Sequence, residues 1–156
     1  MPRKSLITLA ALSACCSAAL SACISIPADS IGTLERARDG TLVVGVSEHH
    51  PWTDVSEDGE YSGSEVDLIE GFAESINSEI EWHTAPESVL AGQIKEDELD
   101  IIIGGLAASS PWMTHMALTR PYAKVGEEDM VMGVRLGENA LLVALERHLA
   151  QEHGEI

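Results

Sequence analysis

The segment Glu98 to Tyr122, ELDIIIGGLAASSPWMTHMALTRPY, constrains this chain more than any other. Ile101, Ile102 and Ile103 form a continuous β-branched run entered through Leu99 and Asp100. Such a run suits a strand covered on both faces, as in a parallel α/β sheet. Gly104 and Gly105 are expected to stop that strand. The following Ala107, Ala108, Ser109 and Ser110 are too small to fill a core, but they offer hydroxyls and close backbone approach. Pro111 then suits the first turn of a helix. This segment therefore reads as a buried strand running into the floor of a binding site.

The N-terminus reads as an export signal. Two cations, Arg3 and Lys4, precede an uncharged apolar stretch from Leu6 to Leu20, the n-region and h-region of a signal peptide. Ser5, Thr8, Ser13 and Ser17 dilute it, and it is shorter than the roughly 20 apolar residues of a membrane-spanning helix. It ends in Leu20-Ser21-Ala22-Cys23, which resembles the lipobox of bacterial lipoproteins. The resemblance implies cleavage before Cys23 and lipidation of its thiol; an ordinary secretory cleavage is the alternative. The expected organisation is a signal peptide over residues 1–22, a lipidated tether over 23–31 and one folded lobe over 32–156, displayed on the extracytoplasmic face of the cell membrane.

Cys15 and Cys16 leave with the signal, so disulfides play no part in the expected fold. With Arg3 and Lys4 also removed, seven Lys and Arg stand against 26 Asp and Glu, a balance of −19. That field repels phosphate backbones and favours neutral or cationic solutes, which makes nucleic acid an unsuitable partner.

The remaining pattern is α/β. Gly32 to Asp39 suits a short helix and Thr41 to Val46 a first strand. Ser64 starts a helix in which Val66, Ile69, Phe72, Ala73 and Ile76 form the apolar stripe. Glu65, Glu70 and Glu74 are expected to face solvent, and Ser64 with Asp67 resembles a capping box. Glu79 to His83, Glu87 to Lys95 and Leu99 to Ile103 continue as strand, helix and strand, which predicts a parallel sheet. Met130 to Val134 reads as a last strand, and Glu138 to Gln151 as a closing helix buried through Leu141, Leu142, Leu145 and Leu149.

Polar and aromatic groups gather where open α/β sheets bind ligands, beyond the carboxyl ends of strands. Trp52, after Pro51, is either a stacking platform for a ligand or an ordinary partly buried aromatic. Ser109 is either a ligand hydroxyl or a helix N-cap. His49 and His50, beside Glu48 and Asp54, have the chemistry of a metal site. Adjacent residues on an extended segment point opposite ways, however, so solvated loop histidines are the preferred reading and no metal or other cofactor is expected. Nor is an enzyme expected, since the chain has no GxSxG, HExxH or phosphate loop.

Taken in order, these residues resemble the extracytoplasmic solute-binding proteins of amino-acid ABC transporters, family 3. The resemblance is carried by Gly40 to Val46, Pro51-Trp52, Asp58-Gly59 through Gly63-Ser64-Glu65-Val66-Asp67-Leu68, Asp100 to Leu106, and Pro121-Tyr122. It implies one lobe of a type II periplasmic-binding-protein fold: a three-layer αβα arrangement with a mostly parallel sheet and a C-terminal strand and helix. It also implies a ligand site at Trp52, Gly105, Ser109 and Trp112, a small solute as ligand, and an ABC permease or other membrane transporter as partner. Two departures qualify this. Trp112 stands where the family carries an arginine that clamps a substrate carboxylate, and the second lobe is missing. A lone lobe leaves one side of a ligand in water, so binding is expected to be weak or partner-assisted. The alternative is a non-catalytic interaction or regulatory lipoprotein that docks a membrane partner through the exposed former cleft.

Overall fold

A computed structural model describes residues 28–154. The expected signal peptide, the expected lipidation site Cys23 and most of the expected tether lie outside the described residues. The elements are α1 (Thr33–Ala37), β1 (Thr41–Val46), β2 (Asp54–Val55), β3 (Tyr61–Ser62), α2 (Ser64–Ser75), β4 (Glu79–Thr84), α3 (Glu87–Lys95), β5 (Ile101–Ala107), β6 (Met116–Leu118), β7 (Ala123–Val125), β8 (Glu128–Arg135) and α4 (Asn139–His153). The main sheet has the order β4-β1-β5-β8-β6, with β7 also paired to β8. β1 is parallel to β4 and β5, while β8 is antiparallel to β5, β6 and β7. Five strands therefore point one way and β8 alone returns.

Strand alternation sends successive side chains to opposite faces and divides the core in two. Leu42, Val44, Val46, Ile101, Ile103 and Met132 face α2 and α4. Val43, Ile102, Leu106 and Val131 face α3, through Leu90, Ala91 and Ile94. The fold is thus three-layered, with a mixed sheet between helices.

β5 does not stop at the glycines. It continues through Gly104 and Gly105 to Ala107, and its register against β8 shifts between Ile102 and Leu106. Both glycines have positive φ, 146° and 66°, a conformation open to glycine, so the pair bends the strand instead of ending it. No α-helix follows Pro111. Residues 111–115 form turns that descend over the α3 face to β6. At α2 the N-cap is Gly63, and no side chain caps the helix, so the expected Ser64–Asp67 capping box does not form.

The polar stretch after Tyr122 folds into β7 and the start of β8. Val125 pairs with Glu128, leaving Gly126 and Glu127 as a two-residue hairpin loop. Gly126 has φ 64° and Glu127 is not in the positive-φ region, the pattern of a type II′ turn. The chain therefore passes from β7 to β8 with no room for a second lobe at that point.

The amino end of the sheet is held by ions. Asp100 is fully buried and accepts from Val43 N–H at 2.9 Å, from Arg36 at 2.6 Å and from Arg135 at 2.8 Å. Arg135 Nε also donates to the Leu99 carbonyl. Nearby, Asp29 accepts from the Leu34, Ala140 and Leu141 N–H groups, tying the residues before α1 to the start of α4. Glu138 accepts from Ile31 and Thr33 N–H. Burial pushes its carboxyl up, but these hydrogen bonds outweigh burial and hold it below the usual range.

Replacing Asp100 leaves the Arg135 guanidinium buried without its anion. Asp100→Ala is expected to lower the unfolding free energy by about 3–5 kcal/mol, measured by urea denaturation.

Candidate functional site

The carboxyl end of β1 opens into a loop, residues 47–53, that the backbone fastens on itself. Ser47 N–H donates to the Ile103 carbonyl, and the His49 and Thr53 segments exchange hydrogen bonds across a tight turn. Thr53 Oγ1, from a fully buried residue, donates to the Ser47 carbonyl at 2.6 Å. The His50–Pro51 peptide is cis.

This loop rests on the bend in β5. The rings of His49 and Trp52 lie 4.8 Å apart at 59°. Both cover Gly105, where a Cβ would stand 2.8 Å from His49 Nδ1 and 2.8 Å from Trp52 Cε3. Gly105 is therefore the surface on which the aromatic platform sits. His49 Nδ1 lies 3.1 Å from the Gly104 carbonyl. A carbonyl can only accept, so Nδ1 carries the proton in this contact.

Beneath the bend lies Glu65. It is fully buried, against the solvent-facing position expected from the helical stripe. Its Oε2 accepts from Gly104 N–H at 2.7 Å and Gly105 N–H at 3.0 Å, and its Oε1 accepts from the Tyr122 hydroxyl. One carboxylate at the start of α2 thus joins the β5 bend to the segment entering β7. Burial pushes the Glu65 carboxyl up, and its hydrogen bonds from Tyr122, Gly105 and Gly104 and the nearby His49 only partly offset that. Tyr122 is pushed up as well, first by burial and then by the adjacent Glu65.

Trp52 and Gly105 are brought together. Ser109 is exposed and borders a separate cavity of about 250 Å³ with Ala107, Ala108, Glu127, Glu128 and Asp129. It caps no helix. Trp112 packs on the other side of the sheet, against the α3 cluster, with its ring edge-on to His115 at 5.7 Å. His49 and His50 diverge: His49 turns to Gly104, and His50 pairs with Asp54 at 2.9 Å. Among the described residues no three His, Cys, Asp or Glu side chains are grouped to hold a metal ion.

Glu65, Thr53 and Tyr122 were not among the expected site residues. The available signal for Glu65 was its place directly after Gly63-Ser64, where a helix begins at the carboxyl end of the sheet. At that level the stripe of α2 faces the β5 bend as well as the core.

The chain belongs to the bacterial extracellular solute-binding proteins, family 3, which it matches over residues 42–151. Among curated proteins it is similar to the probable amino-acid-binding protein YxeM of Bacillus subtilis (strain 168), with 28% identity over 94 residues. That match takes in 60% of this chain but 35% of the relative's length. Among solved structures it is similar to the arginine-bound form of domain 1 from TmArgBP, at 26% identity and a TM-score of 0.66, covering 75% of this chain and 97% of that domain. An ancestral cyclohexadienyl dehydratase is a more distant likeness, at 25% identity and a TM-score of 0.54, with 62% of this chain and 39% of that one covered. The family is extracellular, and among the described residues no helix is long and apolar enough to cross a membrane.

Because the folded-state value of Glu65 is raised, its contribution to stability is full at low pH and is lost as pH rises through the raised value. In Glu65→Gln this position cannot titrate. The stability advantage of the wild type over this variant is therefore expected to shrink as pH is raised from about 4, read from urea unfolding across pH. A difference that stays level would contradict the assignment.

Proposed function

We propose that this protein is a lipid-anchored, extracytoplasmic, single-lobe solute-binding protein. It holds a small solute, an amino acid or another small polar or cationic molecule, and serves a membrane transport system. The observation that carries this reading is the overlay with a relative's isolated domain: 97% of that domain is covered, and arginine is bound to it without a second lobe. A lone lobe of this fold therefore suffices to retain a ligand in that relative. The opposing wall need not exist for binding, although solvent on the open side still weakens it.

In this reading Trp52 and Gly105 form the platform, and Ser109 offers its hydroxyl from the separate cavity it borders. Trp112 acts from the α3 side by holding the segment that follows Ser109. The role is binding without catalysis, and the anchor is the lipid on Cys23. The second reading, a docking lipoprotein, is favoured by Met113, which is 60% exposed beside the packed Trp112.

Thermal unfolding of the purified protein across amino acids and amines separates the two. Solute binding is expected to raise Tm with concentration, by about 2.7 kcal/mol of stabilisation at a hundredfold excess over Kd, and Trp52→Ala is expected to remove the rise. No shift with any solute would overturn the binding reading. For the anchor, Cys23→Ser is expected to abolish incorporation of labelled fatty acid and to release the protein from the membrane fraction. Unchanged labelling would rule out Cys23 as the attachment point.

A further inference from the structure

β4 (Glu79–Thr84) stands at one edge of the main sheet. Among the described residues its one ladder partner is β1, in parallel register from Thr41↔Glu79 to Val46↔Thr84. The two ends of that ladder fix which backbone groups are used. Glu79 N–H donates to the Gly40 carbonyl, and Ala85 N–H to the Val46 carbonyl. Successive residues of a strand turn their backbone groups to opposite sides, so Glu79, Glu81 and His83 face β1. The N–H and carbonyl groups of Ile80, Trp82 and Thr84 face outward, a row able to pair with a further strand.

The side chains along this edge select what can pair there. Ile80 and Trp82 are half-buried against the α2 side of the core. Trp82 stacks on Tyr61, whose hydroxyl lies 3.0 Å from Thr84 Oγ1, so its ring is held in place. Beside it lies an open groove of about 800 Å³, lined by Trp82, Ile80, Glu70, Glu74, Asn77 and Glu79 among others. Glu70, Glu74 and Glu79 are exposed, and among the described residues no cation is paired with any of them. Glu81 is exposed further along the strand.

A second copy fits this edge badly. It would bring both sets of carboxylates together, with a net charge of −17 on each chain. A basic segment meets the opposite situation. The stems of lysine or arginine can lie along the Trp82 ring while their charged heads reach the carboxylates.

We propose that the outer edge of β4 docks an extended, lysine- or arginine-bearing segment of a partner protein, which adds to the sheet as a further strand. Its backbone pairs with Ile80, Trp82 and Thr84, and Glu70, Glu74 and Glu79 hold its cations. None of the residues lining the groove belongs to the Trp52–Gly105 platform, so this docking stands whether or not the platform holds a solute.

The probe is an end-blocked octapeptide of alternating lysine and valine, titrated into the purified full chain and followed by amide hydrogen exchange. At saturation the Ile80, Trp82 and Thr84 amides are expected to slow by about tenfold or more, while Glu81 and His83, already in the ladder, hold steady. Glu79→Lys with Glu81→Lys, both at exposed positions, is expected to weaken binding by about tenfold or more. Peptide binding that leaves the three outer amides unprotected would be charge attraction alone and would overturn the added strand. Protection that grows with protein concentration, without peptide, would identify a second copy as the occupant and overturn the basic partner. No binding of the lysine peptide, or equal binding of its glutamate counterpart, would overturn the proposal outright.

Discussion

The arrangement depends on one buried carboxylate. Glu65 brings together three segments distant in sequence: the start of α2, the bend of β5 and the approach to β7. Each bond it accepts satisfies a group that would otherwise be buried and unpaired, and an unpaired buried donor costs about 1–3 kcal/mol. The contact does more than stabilise. Two positive-φ glycines in succession make β5 locally soft, and the carboxylate fixes that softness into one geometry. His49 and Trp52 then have a defined surface to lie on, since Gly105 offers no Cβ to displace them. The position of the aromatic platform is thus set from below.

The same bond network explains how the lobe closes without its usual continuation. In a two-lobed binder the chain would leave the sheet after Tyr122 and return later. Here Tyr122 is anchored to Glu65, β7 lies along β8, and Gly126 allows a reversal in two residues. The strand edge exposed by the loss of a lobe is short, and its hairpin tip carries Glu127 and Glu128, charges that discourage edge-to-edge pairing.

Much of the fold was legible because periodicity reports burial. The triple isoleucine, the stripes of α2 and α4 and the limits of α3 all follow from where apolar side chains recur, and each lies where that pattern puts it. The failures share a different cause. Glu65 lies at a helix start, where the side chain reaches past the helix face to backbone groups of another strand; no local pattern encodes such a partner. The glycine pair was read as a stop because glycine is a breaker in isolation. Pairing of β5 with β8, which lies beyond the glycines in sequence, carries the strand through. β6 and β7 are three residues each, too short for alternation to show, and they exist because β8 offers them an edge. Trp112 followed the family's motif position into the site, whereas the descent of residues 111–115 over α3 takes it to the opposite face of the sheet.

The two ends of the sheet divide the work between them. At the amino end, Asp100 with its two arginines, and Asp29 and Glu138 with the backbone N–H groups around α1 and α4, form networks in which each carboxylate is held by donors. At the carboxyl end a buried carboxylate, Glu65, is instead held by the Gly104 and Gly105 N–H groups and the Tyr122 hydroxyl, under a strongly negative overall charge. Exposed carboxylates lie at both ends, Glu48 beyond β1 and Glu70, Glu74 and Glu79 around the cavity at Trp82, so the negative field spreads over the whole molecule. The Glu65-supported bend is what fixes the carboxyl end in one shape, because it joins α2, β5 and the approach to β7 through hydrogen bonds and not through paired charges.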